Sequence, residues 1–126
     1  KDFSTTDTVG CVIRDGDNYA AALSTGGIKD SIVGRVGDVP LIGCGLYAGP
    51  QGAIAATGEG EAILKQITAF RAYQLIEKGM DPKSIVSEVI SWFNKPTAFG
   101  LIVVSKLGFA GGANEPMAWT ASEVEL

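Results

Sequence analysis

The chain has 126 residues, the size of one domain or of one half of a larger one. It is 46% hydrophobic and 19% charged, which excludes a disordered chain, and its net charge of −4 comes without a basic patch interleaved with aromatics, which argues against a nucleic-acid partner. No apolar run approaches ~20 residues and no secretory h-region stands near the start, so neither a membrane span nor export is expected and the predicted location is cytoplasmic.

Residues 1–7, KDFSTTD, are polar and aperiodic and read as a flexible arm or as the tail of something upstream. Thr8 then opens a strand in which Val9, Cys11 and Ile13 share one face. Asp15-Gly16-Asp17-Asn18 is a turn signal, and Tyr19 to Ser24 returns as the partner strand. Such a hairpin brings Thr25 back to the level of Thr8. A threonine hydroxyl is a poor nucleophile without a base, but cutting the bond before Thr8 frees an α-amine that can take the proton itself. An α-amine has a reference pKa of roughly 8, so a useful fraction is neutral near pH 7.

From Thr25 to Gly49 seven glycines crowd an irregular loop. They account for much of the chain's total of 17, about twice the ~7% average, and suggest backbone that must approach something closely. Arg35 and Asp38 lie three apart in this loop. They either pair with each other on the surface or serve a site, since functional residues favour loops on rigid scaffolds. Cys11 and Cys44 are not a CxxC pair and read as buried free thiols.

Ala53 to Thr57 reads as a short buried strand, followed by Gly58-Glu59-Gly60-Glu61 and a single helix running to Lys78. Ile63, Ile67 and Phe70 mark its apolar stripe and Gly79 its stop. A strand, a glycine turn and a helix N-terminus present free N–H groups to negative charge. Glu59 and Glu61 suit that end of the helix dipole but repel a phosphate, and no Lys-Ser/Thr pair follows, so no nucleotide loop is expected. Asp81-Pro82 caps a second helix whose apolar face carries Ile85, Val89 and Trp92 beside Val86, Ile90 and Phe93. Phe99 to Ser105 is a strand buried on both faces, Phe109 to Ala113 returns, and a last strand is expected over Met117 to Ala121. The order gives an α+β fold with two helices on one face of a largely antiparallel sheet. The opposite face is left without a covering layer from this chain.

Histidine is absent. A Ser-His-Asp or Cys-His triad cannot be built within the chain, and two separated cysteines are too few for the commonest zinc sites. No metal ligand is assigned. Any catalysis must use hydroxyls, an amine, carboxylates, arginine or backbone amides.

Four motifs in order, Asp7-Thr8-Val9-Gly10, Ser24-Thr25-Gly26-Gly27, Gly34-Arg35-Val36-Gly37-Asp38-Val39-Pro40 and Thr57-Gly58-Glu59-Gly60-Glu61, resemble the β-subunit of plant-type L-asparaginases and isoaspartyl peptidases. These are N-terminal-nucleophile hydrolases of αββα sandwich fold, and the resemblance extends from Thr8 to about Ala121. It implies that residues 8–126 form the C-terminal half of the sandwich and that 1–7 end a linker or α-subunit tail. It further implies that Thr8 is the nucleophile, freed by autocleavage of the Asp7–Thr8 bond, and that Thr25 tunes it. Arg35 would hold the substrate α-carboxylate, and Asp38 with the Gly60 carbonyl the α-amine. The Thr57 hydroxyl and the Gly58 N–H would form the oxyanion hole. The implied activity is release of L-aspartate from L-asparagine or β-aspartyl dipeptides. The implied partner is an α-subunit from the same precursor in an (αβ)2 assembly. No cofactor is implied for catalysis, and a structural monovalent cation would belong to the α-subunit. Three alternatives stay open: a glycosylasparaginase, an aspartyl endopeptidase, or an unprocessed subunit that only binds aspartate-like ligands. Ser24-Thr25-Gly26-Gly27 looks closer to the asparaginase branch, since glycosylasparaginases tend to carry asparagine after that threonine.

Overall fold

A computed structural model describes residues 7–125. Of the arm expected over residues 1–7, only Asp7 falls among them. The elements in chain order are β1 (Thr8–Asp15), β2 (Asn18–Thr25), β3 (Leu46–Gly49), β4 (Gly52–Gly58), α1 (Gly60–Gln66), α2 (Thr68–Glu77), α3 (Pro82–Ile90), β5 (Phe99–Ser105) and β6 (Gly108–Ala113). β3 to β6 form one antiparallel sheet in sequence order, and β1 and β2 form a separate hairpin. No helix of the described residues is long and apolar enough to cross a membrane.

Alternation along the two central strands sorts the layers. Ile54 and Ala56 of β4, and Phe99, Leu101 and Val103 of β5, join Ile63, Ala72, Ile76, Ile85 and Val89 of the helices in one buried core. Phe93 stacks on Phe99 with ring centroids 3.9 Å apart, as expected of a core aromatic. Asp81 caps α3 by accepting from the Ser84 N–H at 3.1 Å, with Pro82 as the first helical residue.

The other face of the sheet is not bare, contrary to expectation. The β1–β2 hairpin packs on β3, β4 and β5. A Cβ placed on Gly10 would lie 3.5 Å from that of Ala55 and 2.5 Å from Leu23 Cδ2, so glycine permits this close stacking. With Gly10 turned inward, the Val9, Cys11 and Ile13 face points away from the sheet. Val9 is 67% exposed and Ile13 56%, and Cys11 is exposed rather than buried, while Cys44 is half-buried. What lacks a cover is the outer face of the hairpin.

Two further expectations are corrected. The helix read over Glu61–Lys78 is two helices, broken at Ile67 in the left-handed region (φ 48°). The break frees the first turn of α2 to donate from Ala69 to the Cys44 carbonyl and from Phe70 to the Gly43 carbonyl, while Thr68 Oγ1 donates to the Ile63 carbonyl at 2.8 Å. Loop contacts thus override a continuous apolar stripe. The last segment is no strand. Trp119 lies where a Gly111 side chain would be, and Met117 Sδ where a Gly100 side chain would be. The tail packs face-on over two glycines instead of adding to the sheet edge. Residues 25–49, read as irregular, also contain the short strand β3.

Candidate active site

The hairpin register pairs Thr8 with Thr25, as its turn predicts; Gly16 takes the positive φ (62°) that a two-residue loop demands. The two hydroxyl oxygens are 2.8 Å apart. Thr25 Oγ1 also accepts from the Gly27 N–H at 3.0 Å and lies 3.4 Å from the Asp7 carbonyl oxygen, to which it can donate. That carbonyl takes a second donor, the Gly26 N–H at 3.1 Å. The Thr8 nitrogen, here a peptide amide, donates to Asp7 Oδ1 at 2.8 Å. The Asp7–Thr8 bond therefore has its carbonyl oxygen held by an amide and within reach of a hydroxyl, with a second hydroxyl on the next residue.

β4 runs beneath this hairpin and ends at Thr57 and Gly58. Gly58 has φ 139°, and any side chain there would collide with the Ala98 carbonyl, so only glycine fits. Glu59 donates to that same carbonyl at 3.0 Å, and α1 starts at Gly60.

The charged end comes from the glycine loop. Arg35 does not pair with Asp38. It makes a two-pronged pair with Glu61 in the first turn of α1, Nε to Oε1 at 2.6 Å and Nη2 to Oε2 at 2.9 Å. The fork fits a carboxylate edge to edge, and Glu61 is the one that meets it. The Arg35 hydrogen bonds, ahead of the other causes, hold the Glu61 carboxyl at about 2, and the same bonds raise the guanidinium's pKa. The Glu61 side chain is 49% exposed, so solvent screens the pair to about 1 kcal/mol or less of net stability.

Asp38 is the opposite case. It is 5% exposed, its Oδ2 has no hydrogen-bond partner among the described residues, and burial raises its pKa above the ordinary carboxyl value. Gly45 and Gly60 let it in: a Cβ on Gly45 would lie 2.8 Å from Asp38 Oδ2, and one on Gly60 would lie 2.9 Å from Oδ1 and 2.6 Å from Arg35 Nη2. Burial also pushes up the nearby Cys44 thiol, with the Asp38 charge adding to the shift.

Thr8, Thr25, Arg35, Asp38, Thr57 and Gly58 all line one cleft between the hairpin and the end of β4. Gly60 borders it through the space it leaves for Arg35 and Asp38. Every residue singled out in the sequence is thus brought together, with Asp7 at the hairpin end. Glu61 was assigned only to the helix dipole. Its link to Arg35 spans 26 residues and has no local signal beyond acidity at a helix start. No group of three or more His, Cys, Asp or Glu suited to a metal exists among the described residues. Chemically, one end offers paired hydroxyls on a hairpin and the other a cation near a carboxylate with one oxygen unsatisfied among the described residues.

A family model described as "Asparaginase" matches residues 1–124. The chain is 42% identical over 104 residues to the probable isoaspartyl peptidase/L-asparaginase 2 of Arabidopsis thaliana, covering 81% of this chain and 32% of that protein. It is 38% identical over 116 residues to the N(4)-(β-N-acetylglucosaminyl)-L-asparaginase of Rattus norvegicus, covering 89% and 34%. It is 38% identical over 109 residues to the plant-type L-asparaginase of Thermococcus kodakarensis, covering 84% and 36%. The chain therefore spans about a third of the length of these curated relatives.

Proposed function

This chain belongs to the asparaginase family, and from that we propose that it is the C-terminal half, the β-subunit, of an αββα amidohydrolase that releases L-aspartate from L-asparagine or β-aspartyl dipeptides. The observation that carries this is the single cleft where Thr8 and Thr25 face Arg35 and Asp38.

Maturation comes first. Thr8 Oγ1 attacks the Asp7 carbonyl carbon, and the Gly26 N–H and Thr25 hydroxyl already on its oxygen stabilise the oxyanion. The C–N bond breaks, the hydroxyl proton passes to the Thr8 nitrogen, and water hydrolyses the resulting ester to an Asp7 carboxylate and a free Thr8 amine. That amine is then the base for turnover. Arg35 takes the substrate α-carboxylate; Asp38 and the Gly60 carbonyl take the α-ammonium. Thr8 Oγ1 attacks the side-chain carbonyl, whose oxygen is received by the Thr57 hydroxyl and the Gly58 N–H. Ammonia or the β-linked amino acid leaves, and water releases aspartate from the aspartyl ester on Thr8.

The outer face of the hairpin, with Val9 and Ile13 exposed, is where the upstream half would lay its covering layer, its strands extending the hairpin at the edges, in an (αβ)2 assembly. The chemistry needs no cofactor, and a structural monovalent cation is assigned to that upstream half. Unpaired cysteines fit a cytoplasmic setting. A glycosylasparagine substrate is the second reading, because the rat relative, among others, carries that activity in its name.

Intact mass under denaturing conditions, beside ammonia release from asparagine, tests the proposal. A chain beginning at Thr8 that releases ammonia is expected. A processed chain that turns over neither asparagine nor β-aspartyl dipeptide would sink it, and turnover of glycosylasparagine alone would move it to the second reading.

A further inference from the structure

The Arg35 guanidinium has two edges on which it can grip a carboxylate. The edge made by Nε and Nη2 is filled by Glu61. Gly37 flanks the Nη1/Nη2 end of the group: a Cβ there would be 2.8 and 2.9 Å from the two Nη atoms and 3.0 Å from Cζ, above the plane and forward of that edge, so a glycine at this position keeps the edge clear. Gly60 crowds Nη2 on another side. The remaining edge, made by Nη1 and the second Nη2 proton, makes no hydrogen bond to the described residues, and Arg35 lines the cleft.

We propose that Glu61 is a positioning residue for substrate binding: by occupying the side edge of the Arg35 fork it locks the guanidinium plane and leaves the end edge open for the substrate's α-carboxylate. The assignment rests on the function proposed above and deepens it. An arginine side chain has four rotatable torsions, and freezing them in advance removes an entropic cost from binding. A second consequence concerns charge. Arg35, Asp38 and Glu61 together sum to −1 when ionised, so the pocket does not attract a bare carboxylate. The contact favours a ligand whose carboxylate sits beside an ammonium.

The test is kinetic, on the processed chain assembled with its upstream half. L-Asparagine is compared with its α-amide, which lacks the carboxylate but keeps the scissile side chain. In Glu61→Ala, KM for asparagine is expected to rise about tenfold, the scale of one charge-assisted hydrogen bond. Its kcat should hold within about threefold, and KM for the α-amide should barely move. Glu61→Gln, which keeps the side-chain length and one acceptor oxygen, should shift KM for asparagine in the same direction by less. It also serves if the alanine variant does not fold. A merely structural role would move both substrates together, and that result, or no change for either, overturns the assignment. Turnover by the parent with unaltered KM in the variants removes Glu61 alone. No turnover by the parent removes the proposed function and this assignment with it.

Discussion

At one end of the cleft, Thr8 and Thr25 face each other across a hairpin whose loop is two residues long; at the other, Arg35, Asp38 and Glu61 are gathered from a glycine-rich loop and the start of a helix. The hydroxyl end is a product of register. Once Asp15 pairs with Asn18, every cross-strand pair down to Thr8 and Thr25 follows. The charged end has no such rule and depends on where glycines let chains approach. The two ends also differ in stability. The hairpin end has its polar atoms bonded, whereas Asp38 holds a buried oxygen with no partner among the described residues. A buried carboxylate oxygen left unsatisfied is destabilising, the cost expected where a site is kept at the expense of the scaffold.

The comparison can be broken most severely at the hydroxyl end. Thr8→Ala is expected to abolish both Asp7–Thr8 cleavage and turnover, lowering kcat by about 10⁴-fold or more as nucleophile removal does elsewhere. Mass spectrometry and aspartate release read the two together, and activity surviving in a clean preparation would end the role given to Thr8.

Thr57→Val removes one hydroxyl with little change of shape. Loss of an oxyanion donor should reduce kcat by about 10²–10³-fold and leave KM nearly unchanged. A KM effect without a kcat effect would instead put Thr57 with the charged end.

The smallest effect sharpens the contrast in stability. Asp38→Asn should weaken substrate binding yet stabilise the fold by about 1–3 kcal/mol at neutral pH, because an unpaired buried charge is removed. The signs with pH are opposite for the two carboxyls. Asp38 has a folded pKa above its unfolded value, so its contribution is fully present at low pH and is lost as pH rises through the folded value. Glu61, at about 2 when folded, contributes above its unfolded value of 4.5 and loses that contribution as pH falls through 2. Thermal melts from pH 3 to 7 should therefore show Asp38→Asn gaining on the parent as pH rises. A constant difference across that range would mean that Asp38 is not buried as a charge.

Much of this was legible in the sequence because its causes are local. The Asp15–Asn18 turn predicts the hairpin, the Asp81-Pro82 pair predicts the start of α3, and the apolar run Phe99–Ser105 predicts a central strand. The residues of the four motifs, Thr8, Thr25, Arg35, Asp38, Thr57, Gly58 and Gly60, meet at one cleft. Residue type narrows their chemistry: with no histidine, any catalysis falls to hydroxyls, an amine, carboxylates, arginine or backbone amides.

Tertiary structure decided the rest, wherever a backbone or side-chain group could choose among distant partners. Ile67 leaves the helical region because α2 gains loop carbonyls at Gly43 and Cys44. Trp119 and Met117 lie over glycines instead of forming a strand. Arg35 turns to Glu61, 26 residues away, and not to Asp38, three residues away. Sequence separation governs secondary structure through short-range torsions and hydrogen bonds, whereas the partner of a long charged side chain is set by which carboxylate the fold leaves within reach of its planar edge.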